Sequence, residues 1–205
     1  MSRPLRLALF CVLLVGCGQT PAAEPPVPTL GGESPDPPIV ESCEPPSPES
    51  PSGPHLFVYF SCTADGGEMG NRVHALARGI DPSETPLSAA FERLLEGPTP
   101  AESERGYVSA FSAASSGLLQ RAEIQGGQAT IDFADLREAL PLVGATTSTA
   151  MFLSALYSTA FQFDGIEQLR FTMQGACETF WVEWLEAGAC QDIPRSFWEE
   201  NTTTV

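Results

Sequence analysis

The 205-residue chain contains no lysine: all ten of its basic residues are arginine, set against 26 aspartates and glutamates. The formal net charge of −16 excludes the concentrated positive surface that nucleic acid or an anionic bilayer requires. Histidine is scarce, so only His55 and His74 could serve as a general base in a Ser-His-Asp triad. No GxSxG turn, HExxH pair or phosphate-binding glycine loop occurs, which removes the usual hydrolase, metalloprotease and nucleotide-binding signatures. There is no CxxC spacing either, and two histidines give a zinc site little to build on. Finally, no apolar run approaches the roughly 20 residues that cross a hydrocarbon core.

What the chain does have begins at its start. MSRPLRLALFCVLLVG carries Arg3 and Arg6, then a short apolar run ending at Gly16, the layout of an export signal. Leu14-Val15-Gly16-Cys17 has the form of a bacterial lipobox. It predicts that residues 1–16 are a lipoprotein signal peptide and that the thiol of Cys17 takes a diacylglycerol. Cleavage then leaves Cys17 as the new N-terminus. An ordinary signal peptide would instead be cut near Ala22 or Ala23. More than one acyl chain is needed for stable anchoring, which a diacylated cysteine provides. The expected location is the cell membrane or outer membrane, lipid-anchored and facing the extracytoplasmic side. Loss of Arg3 and Arg6 takes the formal charge from −16 to −18.

Export sets the reading of the other cysteines. Cys11 leaves with the signal, and Cys43, Cys62, Cys177 and Cys190 remain. An even set in an oxidising compartment implies disulfides, with three possible connectivities. Pairing nearest neighbours gives Cys177–Cys190 and Cys43–Cys62, and a loop of about 14 residues closed by the first is worth roughly 3 kcal/mol. Residues 17–54 hold twelve of the nineteen prolines, six carboxylates and no basic residue. They cannot bury a core and read as an extended, self-repelling tether, reaching roughly 115 Å at about 3.1 Å per residue.

From His55 onward the texture is that of one domain. Leu56-Phe57-Val58-Tyr59-Phe60 is apolar on both alternating faces and reads as a buried strand, followed by a weaker one over 73–78. Thr85 and Pro86 open a helix with Leu87, Phe91, Leu94 and Leu95 on one stripe, and Gly97-Pro98 stops it. Residues 99–117 are small and polar and read as a long surface loop. Two alternating runs flank Gly126-Gly127, a β-hairpin. A helix is expected over 147–163, a last strand around Leu169, Phe171 and Met173, and a short amphipathic helix over 178–187. The order β-β-α-β-β-α-β-α gives an α+β domain, a mostly antiparallel sheet with helices on one face in two layers.

The opening strand LFVYF, the helix ending in LLEGP, the hairpin LLQRAEIQGGQATIDF and the helix-strand pair ending in FQFDGIEQLRFTMQG follow one another in an order that resembles the GerMN domain. That domain belongs to bacterial sporulation and germination proteins and to envelope lipoproteins. The resemblance covers residues 55–175, leaving 176–205 as a disulfide-linked C-terminal helix and tail. In place of the family's small-residue–Pro–Gly-Thr turn before the hairpin, this chain has FSAASSGLL, Phe111 to Leu119. The resemblance implies a non-enzymatic module for protein assembly or cell-wall contact, with no cofactor and no catalytic residues to carry over. Its partners would be the membrane, through the N-terminal lipid, and an envelope protein or peptidoglycan.

An envelope hydrolase acting on peptidoglycan is the alternative from another class. Its acid and base would come from a carboxylate pair such as Glu102 with Glu104 or Asp132 with Asp135, which read more simply as solvated residues and a hairpin end. The C-terminal region supplies the last candidates. Trp181, Trp184, Trp198, Phe180 and Phe197 all fall after residue 176. Trp181 and Trp184 fit a helix face covering the sheet near Phe57 or Tyr59. Phe197 and Trp198, beyond Pro194 and beside Glu199 and Glu200, stand as an aromatic pair for partner contact, since aromatics anchor interfaces.

Overall fold

The apolar run LFVYF lies inside β1 (His55–Cys62), where Leu56, Val58, Tyr59 and Phe60 are buried. The structure, a computed structural model, describes Cys43 and residues 53–144 and 146–205. The signal peptide, Cys17 and nearly all of the tether lie outside the described residues. β1 pairs antiparallel with β2 (Arg72–Gly79), from His55 opposite Gly79 to Phe60 opposite His74. A 3₁₀ turn, Thr63–Glu68, lies between them. β3 (Tyr107–Val108) continues this sheet beside the end of β1, and β8 (Thr203–Thr204) lies parallel to β2 on its other side.

A second sheet forms from β4 (Leu119–Gln125), β5 (Gln128–Phe133), β6 (Gln168–Met173) and β7 (Asp192–Pro194) in that spatial order. Gly126 and Gly127 turn the β4–β5 hairpin at φ of 58° and 82°, left-handed backbone that glycine adopts without strain. β5 and β6 are parallel, which requires a crossover, and α3 (Thr146–Phe161) supplies it. The α+β class with mostly antiparallel pairing is the observed one. The strands divide into two four-stranded sheets around α3, which is buried nearly all round along its second half: Ser154 to Phe161 are all buried. α3 packs on β1 and β2, while its Tyr157 ring meets Phe171 of β6 at 6.0 Å.

Three local expectations need correction. Residues 99–117 are not a surface loop: they hold α2 (Pro100–Glu104), β3, and the buried side chains of Glu102, Tyr107, Phe111 and Ser115. Thr99 and Glu102 close a capping box there, each side chain bonding the other's backbone N–H. The stretch expected as a helix over 178–187 is a single π-helical turn, Thr179–Trp184. Its tryptophans cover the second sheet instead of Phe57 or Tyr59: Trp181 packs on Phe171 and Phe180, and Trp184 on Phe152 and Phe180.

α1 (Pro86–Leu95) buries Leu87, Phe91, Leu94 and Leu95 and stops as expected at Gly97. Gly97 has φ of 76°, and a Cβ there would lie 2.4 Å from the Phe111 carbonyl oxygen. Both facts oppose any side chain. Gly97→Ala is therefore expected to destabilise the domain by about 2 kcal/mol or more, read from urea unfolding. A midpoint equal to wild type would mean that the α1–Phe111 approach is looser than this.

Candidate functional site

The C-terminal segment is fixed to α3 by a few specific bonds. α4 (Arg195–Asn201) begins with Arg195, whose guanidinium donates to the carbonyls of Phe161, Phe163 and Ile166 at 2.8–2.9 Å. A cation is favourable at the carbonyl-rich end of a helix. The same guanidinium lies 4.9 Å from the Phe161 ring centroid and 5.9 Å from that of Trp198. Trp198 turns inward, its indole N–H donating to Ser158 Oγ at 2.9 Å.

Successive helical residues point about 100° apart, so anchoring Trp198 sends Phe197 elsewhere. Phe197 is 44% exposed and meets the Tyr157 ring edge-on at 6.3 Å. The aromatic pair read from the sequence is thus divided. Trp198 is a docking residue of its own domain, and Phe197 is left at the surface.

Phe197 stands at the mouth of a cavity of about 350 Å³ between α3, the π-helical turn and α4. Tyr157 and Trp181 form its buried wall with half-buried Leu153 beside them, while Asn71, Gln191 and Asn201 bring side-chain amides to it. Among the described residues no charged side chain lines it. Burial pushes the Tyr157 phenol up from its ordinary pKa, so it stays a protonated donor at neutral pH. The Cys177–Cys190 disulfide, with Cα atoms 5.6 Å apart, closes the loop that carries Trp181 and ends beside Gln191. Across the domain, Cys43 is bonded to Cys62, and the Cys43 carbonyl accepts from the Tyr107 hydroxyl at 3.0 Å.

The candidate carboxylates lie apart from this cavity and have other partners. Glu102 is buried and takes two bonds from Arg78, at 2.8 and 2.7 Å. Asp132 accepts from Thr172 Oγ1 at 2.6 Å and from the Gly175 N–H at 2.9 Å. Asp135 is held down to about 2, mainly by its side-chain hydrogen bonds from Arg137, so it is ionised at neutral pH. Glu104 ends α2 at the surface.

His74, one of the two histidines available as a general base, is half-buried beside Asp65 Oδ2 at 2.8 Å and edge-on to Tyr107. Cys62, Asp65 and His74 bring three potential ligand atoms within 4.8 Å of one another, but the Cys62 sulfur is committed to Cys43.

The fold and cavity define a small α+β module with a neutral, aromatic-edged pocket. The family profile Germane, described as sporulation and spore germination, matches residues 57–178. The chain belongs to that family. Among solved structures it is similar to the tandem GerMN domains of the sporulation protein GerM from Bacillus subtilis, with 20% identity and a TM-score of 0.44. That likeness covers 60% of this chain and 40% of the other, so this chain spans about two fifths of that protein's length. It is also similar to a Clostridium perfringens protein named as a lipoprotein, with 17% identity, a TM-score of 0.42, and coverage of 73% and 93%. No curated protein matches it.

Proposed function

We propose that this protein is a lipid-anchored, non-enzymatic module of the bacterial envelope, held at the outer face of a membrane through Cys17 and acting by protein assembly or cell-wall contact. The observation that carries the reading is the family match over residues 57–178. The lipobox and the proline-rich tether support the anchored arrangement. No helix among the described residues is long and apolar enough to cross a membrane. The commitments of Glu102, Asp132 and Asp135 to arginines, hydroxyls and backbone favour binding over hydrolysis.

Two measurements test this. Cells labelled with a radioactive fatty acid should yield a labelled wild-type protein and an unlabelled, unprocessed Cys17→Ser precursor. Equal labelling of both would sink the anchor. Crosslinking of the lipidated protein in intact cells should recover an envelope protein or peptidoglycan, and recovery of neither would overturn the binding role.

A further inference from the structure

The cavity beside Phe197 has a composition that narrows what can occupy it. In a chain with 26 acidic residues, its described lining carries none of them and no arginine. An ionic ligand would lose its hydration without meeting a counter-charge. A purely apolar ligand would strip water from the side-chain amides of Asn71 and Gln191 and return no hydrogen bond.

The occupant that fits is neutral, rich in hydrogen-bonding groups and apolar on one face. A pyranose ring has this chemistry: its C–H face lies on an aromatic ring while its hydroxyls meet amides. Phe197, exposed at the mouth, offers the ring. The side chains of Asn71 and Gln191 make no hydrogen bond among the described residues. A volume of about 350 Å³ is at the small end of ligand pockets, suited to a sugar ring with its substituents more than to an extended peptide.

The buried wall adds a further requirement. The Tyr157 hydroxyl is a donor with no hydrogen-bond partner among the described residues, and Ala150 and Leu153 line the same cavity. A carbonyl acceptor carrying a methyl group satisfies both, and an acetamido group supplies that pair where a plain hydroxyl does not. We propose that this cavity binds an N-acetylated amino sugar of a glycan strand, with Phe197 as the stacking platform and Asn71, Gln191 and Tyr157 as polar contacts. The inference rests on the binding-module reading and assigns it a site and a ligand class.

The test is a titration of the full lipidated chain, solubilised in neutral detergent, with chitotetraose, cellotetraose or a neutral tetra-alanine peptide. Binding is followed calorimetrically and through the indole N–H resonance of Trp181, which lines the cavity. Chitotetraose should bind saturably, at least tenfold more tightly than either of the others, and shift the Trp181 signal. Phe197→Ala and, separately, Asn71→Ala should each weaken binding at least tenfold with little change in melting temperature. Absence of saturable chitotetraose binding, equal binding of cellotetraose, preference for the peptide, or undiminished binding by both variants would overturn the site. If crosslinking still recovers an envelope partner when chitotetraose does not bind, the sugar site falls and the binding module stands. Failure of the crosslinking itself would remove the module reading.

Discussion

Replacing Phe180 with alanine should destabilise the domain by about 3–5 kcal/mol, the largest loss expected from any single core truncation here. Phe180 is fully buried, and its ring lies within 5.1–6.1 Å of those of Phe133, Phe152, Phe171, Trp181 and Trp184. Those rings come from β5, α3, β6 and the π-helical turn itself, so one side chain joins four elements. Truncation removes the transfer free energy of a phenyl group and leaves a hole that rigid aromatic neighbours close poorly. Against a total of about 5–15 kcal/mol for a domain of this kind, the loss is a fifth or more. Urea unfolding followed by tryptophan fluorescence measures it directly, because Trp181 and Trp184 flank the site. Phe197→Ala provides the contrast, since a ring 44% exposed gives up much less. A Phe180→Ala midpoint within about 1 kcal/mol of wild type would mean that the aromatic cluster can collapse around the gap.

Phe180 also shows why parts of this fold were readable from sequence and others were not. LFVYF is apolar on both faces and reads as a buried strand, which holds for Leu56, Val58, Tyr59 and Phe60 but not for Phe57, left 37% exposed; Gly126-Gly127 between alternating runs specifies a hairpin by backbone chemistry alone. These are local signals. α3 is different, because its buried positions include Ser154, Ser158 and Thr159, which a periodicity reading assigns to a wet face. Ser154 is instead satisfied by the Gly70 carbonyl and Ser158 by the Trp198 indole, partners distant in sequence. With that face hidden, neither the central position of α3 nor the division into two sheets could be inferred. The segment 99–117 was opaque for a related reason: its few large side chains, Tyr107 and Phe111, carry no period, and Glu102 finds Arg78 only through the fold.

The cavity was the least legible feature. Its walls come from Asn71, from α3, and from residues 181–202, and nothing in any one of these segments forms a motif. The sequence did single out Phe197 and Trp198 as aromatics with no obvious core to join. What it could not show is that helical geometry sends adjacent residues in different directions, with Ser158 and Arg195 deciding which is buried.

Glu102 supplies the second large effect, and it separates the structural from the catalytic reading of this carboxylate. Its side chain is 5% exposed and that of Arg78 is 16% exposed, with the two paired bidentately. Removing one member of a buried ion pair leaves the other charged, desolvated and unpaired, which costs about 3–5 kcal/mol. Glu102 also accepts the Thr99 backbone N–H, so Glu102→Ala opens the capping box as well. Glu102→Gln keeps the shape and a carbonyl oxygen for Thr99 but turns away the Arg78 charge, so it should lose nearly as much. Replacing both partners, Arg78→Met with Glu102→Leu, should recover most of the loss, because no charge is then stranded. Urea midpoints of these variants, with Arg78→Met and Glu102→Leu alone to complete the cycle, measure this, and the double should lose much less than the sum of its two singles. A carboxylate poised for chemistry behaves in the opposite way, since its removal relieves strain or leaves stability alone. An unchanged midpoint in Glu102→Ala would therefore return Glu102 to the list of candidate acids and weaken the case for a purely binding domain.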